Sequence, residues 1–155
     1  MRLTEILQRE CVKVPMTARD KAQAIAELTQ LLGSAAGLSD VASLNDAVWQ
    51  REQTRTTGIG HGIAIPHGKA VGVDQLRMAI GRPPEPIEFG AVDSKPVDLI
   101  FLLVSPQDQT GPHIQALAKL SRLLTDEHFR EALKQAADAD ELYELIVQHE
   151  SKAAV

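Results

Sequence analysis

The first third of the chain changes from a strand-like to a helix-like hydrophobic pattern. Residues 11–14 (CVKV) predict a short first strand. Residues 17–33 then repeat apolar side chains at helical spacing, and this predicts a helix with Thr17 as N-cap and Gly33 as its end. The apolar stripe of this helix consists of Ile25, Leu28 and Leu32.

The middle of the chain is strand-like. Residues 59–65 have isoleucine at positions 59, 63 and 65 and glycine or alanine at the even positions between them, which predicts one extended segment. Residues 76–82 (LRMAIGR) and 97–104 (VDLIFLLV) are two further predicted strands, and the second is apolar enough to be buried on both faces. Residues 82–86 (RPPEP) between them predict a turn or loop.

The last third of the chain is helical from Pro112 onward. One predicted helix has an inward stripe of Ile114, Leu117, Leu120 and Leu124. A short helix is predicted from near Asp126, and a last helix contains residues 140–147 (DELYELIV). The order of elements predicts an α/β fold: a single domain over residues 1–155, with a core at about 3–148, in which α-helices flank a mixed β-sheet.

An arginine extends the apolar stripe of another predicted helix. This helix starts at Ser39 or Asp40 and runs to about Glu52, with Val41, Leu44 and Val48 facing inward. Arg51 continues the same spacing just before a glycine-rich segment. An arginine in this position either extends its charged end to water or binds an anion in a cleft.

The glycine-rich segment, residues 56–69 (TTGIGHGIAIPHGK), concentrates four glycines and two histidines. The face of small residues in an extended segment would permit close approach by another backbone or by a ligand. His67 follows Pro66, whose φ is fixed, and precedes a glycine. We therefore predict that His67 lies on a rigid turn, where it can act as a nucleophile or as a ligand.

A second histidine is predicted at a helix start. Pro112 suits the first helical position, which places His113 in the first turn, where free backbone N–H groups favour anions. His113 also follows the buried strand through a short loop, and strand ends in α/β sheets are common ligand sites.

Composition narrows the possible functions. The 155 residues carry a formal net charge of −5, which argues against nucleic acid as the main partner. There is one cysteine, no apolar signal-peptide core, and no apolar run long enough to span a bilayer. We interpret the chain as a cytoplasmic protein without membrane insertion.

Residues 51–69 (REQTRTTGIGHGIAIPHGK) resemble the active-site signature of the enzyme IIA proteins of the bacterial phosphotransferase system, in the fructose–mannitol family. Residues 5–14 (EILQRECVKV) and 140–146 (DELYELI) are most similar to the nitrogen-regulatory branch of that family. The resemblance extends from about Leu3 to Ile146.

The resemblance implies a phosphotransferase that accepts a phosphoryl group on His67 from an HPr-like phosphocarrier protein. It also implies that Arg51 stabilises the phosphoryl group and that His113, in an H-x-x-x-L pattern, orients or stabilises the reacting ring. No cofactor or metal is implied, and the sequence leaves open which nitrogen of His67 is phosphorylated. The supporting positions are Thr56, Thr57, Gly58, Gly60 and Gly68.

The nitrogen-regulatory resemblance implies binding to regulatory targets such as potassium-transport components or sensor kinases. The alternative is a sugar-specific component of the fructose or mannitol type that passes the phosphoryl group to a transporter domain. A more distant alternative is a metal-dependent hydrolase with His61, His67 and His113 as ligands, although the spacing matches no metal motif.

Overall fold

The computed structural model describes residues 2–153, and within them the chain forms six strands and five α-helices. The strands are β1 (Leu7–Lys13), β2 (Gly58–Gly60), β3 (Ile63–Ala64), β4 (His67–Lys69), β5 (Arg77–Gly81) and β6 (Leu99–Ser105). The helices are α1 (Lys21–Ala36), α2 (Val41–Thr54), α3 (Thr110–Leu123), α4 (Glu127–Gln135) and α5 (Ala139–Ala153), and a 3₁₀ turn at Leu3–Glu5 precedes β1.

Strand β6 is the centre of one mixed sheet. The strand order is β1-β5-β6-β3-β2, and β4 also pairs with β6, further along the same edge as β3. β6 is antiparallel to β5 and parallel to β3 and β4. Every residue of β6 is buried, so the predictions of a mixed sheet and of a strand covered on both faces are confirmed.

The glycine-rich segment is a hairpin, so the prediction of one extended strand over residues 59–65 is wrong. β2 and β3 are antiparallel and are joined by a tight turn. Gly60, His61 and Gly62 have φ angles of 100°, 59° and 77°, a conformation that glycine adopts readily. The reversal separates the isoleucines: Ile59 is 42% exposed, whereas Ile63 is buried.

The predicted limits of the first helix are also wrong. α1 begins after Asp20, whose side chain accepts a hydrogen bond from the Gln23 backbone N–H, and not after Thr17. The helix continues through Gly33 to a left-handed C-cap at Gly37. Gly33 is required for packing, because a Cβ there would lie 2.2 Å from a methyl group of Val41.

Helix α3 starts earlier than predicted and presents a different face. It begins at Thr110, so Pro112 is its third residue, which is tolerated because the first backbone N–H groups of a helix have no partner. Its buried residues are His113, Ala116 and Leu120, whereas Ile114 is 59% exposed, so the predicted inward stripe is wrong at its first position.

The remaining helices agree with the sequence pattern. Asp40 caps α2 by accepting from the Ser43 backbone N–H, and Asp126 caps α4 in the same way through Phe129. α5 contains the predicted last helical segment. None of the helices in residues 2–153 is long and apolar enough to cross a membrane.

Candidate functional site

His67 lies at the start of a short strand and not on a turn, which corrects the prediction from the sequence. β4 runs parallel to β6, with His67 opposite Leu103 and Gly68 opposite Val104. Gly68 is where α2 packs on the sheet, because a Cβ there would lie 3.0 Å from a Val48 methyl group and 3.2 Å from the Val48 backbone. The strand pairing and the helix together fix the His67 backbone.

One nitrogen of the His67 ring is occupied and the other is free. Nδ1 lies 2.9 Å from the Ile65 carbonyl oxygen. A carbonyl oxygen can only accept, so Nδ1 carries the proton and donates it. In the neutral ring Nε2 is then unprotonated, and it has no hydrogen-bond partner elsewhere in residues 2–153. The ring therefore has its unshared lone pair on Nε2, which is the atom able to bind an electrophile.

The surroundings keep the His67 ring neutral. Burial lowers its pKa below the ordinary value, and the positive charges of Arg51 and Lys69 lower the pKa further, against the opposing effects of the Ile65 hydrogen bond and of Glu52. A neutral imidazole with one free lone pair is the form that attacks an electrophile.

His113 lies beside His67 on the first turns of α3. The two ring centroids are 5.4 Å apart, and the ring planes are tilted by 59°. His113 is 4% exposed, and its Nδ1 lies 2.6 Å from the buried hydroxyl of Ser105. Burial, together with the nearby His67 and Lys69, lowers the pKa of His113 to about 4. Both histidines are thus neutral at neutral pH.

Arg51 lies in the last turn of α2, half-buried, with a guanidinium that is largely uncommitted. Nη1 donates to the Arg55 carbonyl oxygen at 3.1 Å. No carboxylate lies within ion-pair distance of the Arg51 guanidinium among residues 2–153. Its remaining N–H groups can therefore bind an anion near His67 in the two-pronged geometry typical of arginine.

A buried carboxylate that the sequence did not single out holds the segment between α2 and β2. The Glu52 side chain is fully buried, forms an ion pair with Lys21 at 2.8 Å, and accepts from the backbone N–H and the hydroxyl of Thr57. A glutamate next to an arginine at a helix end gives no local signal of burial, because its partner Lys21 lies 31 positions earlier in the chain.

The predicted supporting residues mostly build the scaffold of the site. Thr56 donates its hydroxyl to the Phe89 carbonyl oxygen at 2.8 Å and accepts from the Gly58 N–H, while Thr57 is committed to Glu52. A Cβ at Gly58 would lie 2.7 Å from the Ala91 side chain, and Gly60 takes a positive φ. In the unbound chain, the space left by the missing glycine side chains is therefore filled by other parts of the same chain.

His61 lies in a different environment from His67 and His113. It occupies the exposed turn between β2 and β3, where its backbone N–H donates to Asp93 at 3.1 Å. Over residues 2–153, no group of three His, Cys, Asp or Glu side chains is arranged as a metal would need.

Comparison with known proteins adds an independent observation. The sequence profile of the family "Phosphoenolpyruvate-dependent sugar phosphotransferase system, EIIA 2" matches residues 5–149. The chain is 37% identical to the nitrogen regulatory protein of Klebsiella oxytoca over 151 residues, which cover 96% of this chain and 91% of that protein.

Two further relatives bear on the fold and on the length of the chain. The fructose-specific EIIABC component of Bacillus subtilis is 33% identical over 150 residues, but this chain spans only 24% of its length. The crystal structure of the nitrogen regulatory protein IIA-Ntr from Neisseria meningitidis superimposes with a TM-score of 0.85 at 35% identity, covering 93% of this chain and 98% of that one.

Proposed function

Because the chain belongs to the EIIA 2 family of the phosphoenolpyruvate-dependent sugar phosphotransferase system, we propose that it accepts a phosphoryl group on Nε2 of His67. Members of this family are phosphotransferases that carry the phosphoryl group on a histidine, and they receive it from HPr-like phosphocarrier proteins. Such a phosphocarrier is the proposed donor for this chain, and we propose the cytoplasm as the location of the reaction.

The proposed step is a direct transfer between two imidazole rings. Nε2 of His67 forms a bond to phosphorus while the bond from phosphorus to the donor's ring nitrogen breaks, and the electron pair of that bond returns to the donor ring. The hydrogen bond from Nδ1 to the Ile65 carbonyl keeps the lone pair on Nε2 and fixes the ring orientation. No metal or nucleotide is needed, because the phosphoryl group arrives already activated on a histidine.

Negative charge spread over the three phosphoryl oxygens has to be stabilised during this transfer. We assign that role to Arg51 and to an N–H group of His113, the two proposed catalytic residues beside His67. The observation that best supports the proposal is the state of the His67 ring. The ring is neutral and half-buried, with Nδ1 hydrogen-bonded and Nε2 available. Thr56, Thr57, Gly58, Gly60 and Gly68 support this geometry through packing and backbone conformation.

One histidine variant tests the proposal, and a second histidine variant is its matched control. The wild-type chain, His67→Ala and His61→Ala are each mixed with phosphorylated HPr-like carrier, and intact mass records phosphoryl uptake. We expect one phosphoryl group on the wild-type chain and on His61→Ala, because His61 lies on an exposed turn, and none on His67→Ala. Uptake by His67→Ala at the wild-type level would refute the assignment.

We further propose a regulatory role of the nitrogen-regulatory type. The support is the match to the nitrogen regulatory protein of K. oxytoca, which covers nearly all of both chains. Phosphorylation would add nearly two negative charges at His67 and so change which protein targets bind, with potassium-transport components and sensor kinases as candidates.

The sugar-specific alternative is supported by identity to fructose-specific proteins, among them the 33% identity to part of the B. subtilis component. Incubating the phosphorylated chain with a fructose-type or mannitol-type acceptor domain separates the two roles. A regulator is expected to keep its phosphoryl group over the time in which a sugar-specific component transfers it. Rapid, complete transfer to the acceptor domain would favour the sugar-specific role.

A further inference from the structure

Ser105 and His113 form a buried hydrogen bond beside the proposed nucleophile. Ser105 is the last residue of β6 and is paired in register with Lys69, two residues after His67 on β4. Its side chain is fully buried, and its Oγ lies 2.6 Å from Nδ1 of His113. Ser105 lies outside the glycine-rich signature of residues 51–69 and is joined to the site only through the sheet.

The direction of this hydrogen bond follows from the fate of the serine proton. Nδ1 of His113 is the single hydrogen-bond partner of the Ser105 hydroxyl within residues 2–153. If Nδ1–H donated to Oγ, the proton of the buried hydroxyl would have no acceptor, which is unfavourable. The satisfied arrangement has the hydroxyl donating to Nδ1, and this requires Nδ1 to be unprotonated.

The single proton of the neutral His113 ring then lies on Nε2. Burial, His67 and Lys69 lower the pKa of His113 to about 4, so the ring carries one proton at neutral pH. Across residues 2–153 no acceptor is hydrogen-bonded to Nε2 of His113. The ring lies 5.4 Å from that of His67, so this N–H is available to an anionic group bound there.

We propose that Ser105 is a positioning residue for phosphoryl transfer, which holds His113 as the Nε2–H tautomer by donating its hydroxyl proton to Nδ1. His113 can then donate from Nε2 to a phosphoryl oxygen in transit to His67. With the other tautomer, Nε2 would present a lone pair to the phosphoryl oxygens and repel them. This inference rests on the proposed function of His67.

A pair of variants of equal shape isolates the hydroxyl. Both variants add one methyl group to the serine side chain; Ser105→Thr keeps the hydroxyl, whereas Ser105→Val has a second methyl group in its place, and both residues suit a strand. We expect Ser105→Thr to accept the phosphoryl group at nearly the wild-type rate and Ser105→Val to be about ten-fold slower, by analogy with the lower end of the cost of removing a partner that orients a metal-ligating histidine. Both variants should still reach one phosphoryl group per chain.

Two further measurements distinguish positioning from packing. In the His113→Ala background, Ser105→Thr and Ser105→Val should transfer at the same rate, because the hydroxyl acts only through His113. Long-range ¹H–¹⁵N NMR of the wild-type chain should show His113 protonated at Nε2 and unprotonated at Nδ1. If Ser105→Val does not fold, as judged by circular dichroism, Ser105→Ala takes its place.

Three results would overturn the inference: a wild-type His113 protonated at Nδ1, equal rates for the Thr and Val variants, or a rate difference that persists without His113. Failure of the underlying function would look different. In that case the wild-type chain would take up no phosphoryl group or would carry it on a residue other than His67, while the NMR experiment would still report the tautomer of His113.

Discussion

Replacing Glu52 by glutamine tests whether a buried carboxylate holds the site together. The side chain is fully buried, and its two oxygens accept from Lys21 Nζ at 2.8 Å, from the Thr57 hydroxyl at 2.6 Å and from the Thr57 backbone N–H at 3.0 Å. Glutamine keeps the shape but turns an NH₂ group toward donors. At least one buried donor then loses its acceptor, and Lys21 loses its counter-charge.

The expected loss can be worked out from these contacts. A buried donor without an acceptor costs about 1–3 kcal/mol. Breaking a fully buried ion pair costs about 3–5 kcal/mol. The Lys21 side chain is 21% exposed, so water replaces part of its lost interaction. We therefore expect Glu52→Gln to lower the free energy of unfolding by about 3 kcal/mol, near the lower end of the ion-pair range. For a chain of this size that corresponds to a decrease in Tm of about 6–12 °C.

Urea unfolding followed by circular dichroism measures this change. The controls are Lys21→Met and the double variant, which together close a mutant cycle. Because the two side chains are in contact, we expect the double variant to be more stable than the sum of the single effects by at least about 1 kcal/mol. A Glu52→Gln loss below about 0.5 kcal/mol, typical of surface substitutions, or strict additivity in the cycle, would refute the reasoning.

Three other tests probe the packing, the charge and the pH dependence of the site. Gly68→Ala places a Cβ 3.2 Å from the Val48 backbone, so we expect the free energy of unfolding in urea to fall by about 1–3 kcal/mol. Gly111→Ala is the control, because its Cβ would meet nothing within 4 Å, and it should not lower the stability. Equal effects of the two variants would contradict the packing argument. Arg51→Ala should slow phosphoryl uptake by about a hundred-fold with an unchanged Tm, and an unchanged rate would reduce Arg51 to a packing residue. As pH falls from about 6.5, the unfolded chain protonates His113 before the folded chain does, so stability should fall until pH reaches about 4, by up to about 3 kcal/mol. Urea unfolding across this range should give a shallower pH dependence for His113→Gln, and an identical slope would contradict the assignment.

Local patterns predicted the elements whose ends are decided locally. Asp40 and Asp126 cap α2 and α4 because each side chain reaches a backbone N–H three residues later. Thr17 is not the cap of α1 because Asp20, three residues later, caps that helix in the same local way. The backbone N–H of Thr17 instead donates to the side chain of Glu27 within α1.

The residues of the candidate site also fall into two groups, those that the sequence identifies and those that only the fold reveals. Arg51 and His67 stand in the signature of residues 51–69 and His113 in a separate H-x-x-x-L pattern, both readable from the sequence, and the structure brings the two histidines to adjacent positions. No local sequence pattern identifies Ser105 or Glu52, because their roles depend on contacts made by the fold. These are the pairing of β4 with β6 for Ser105 and the packing of α1 on α2 for Glu52. The hairpin at residues 58–64 was missed because alternating isoleucine and glycine fit both a strand and a tight turn.

The identity of the phosphorylated atom tests the central claim most directly. The chain, labelled with ¹⁵N in its histidine rings, is phosphorylated by an HPr-like carrier and studied by ³¹P and ¹⁵N NMR. With Nδ1 of His67 committed to the Ile65 carbonyl, the result predicted is one phosphorus atom bonded to Nε2 of His67. Phosphorus on Nδ1 of His67, or on any other histidine, would contradict it.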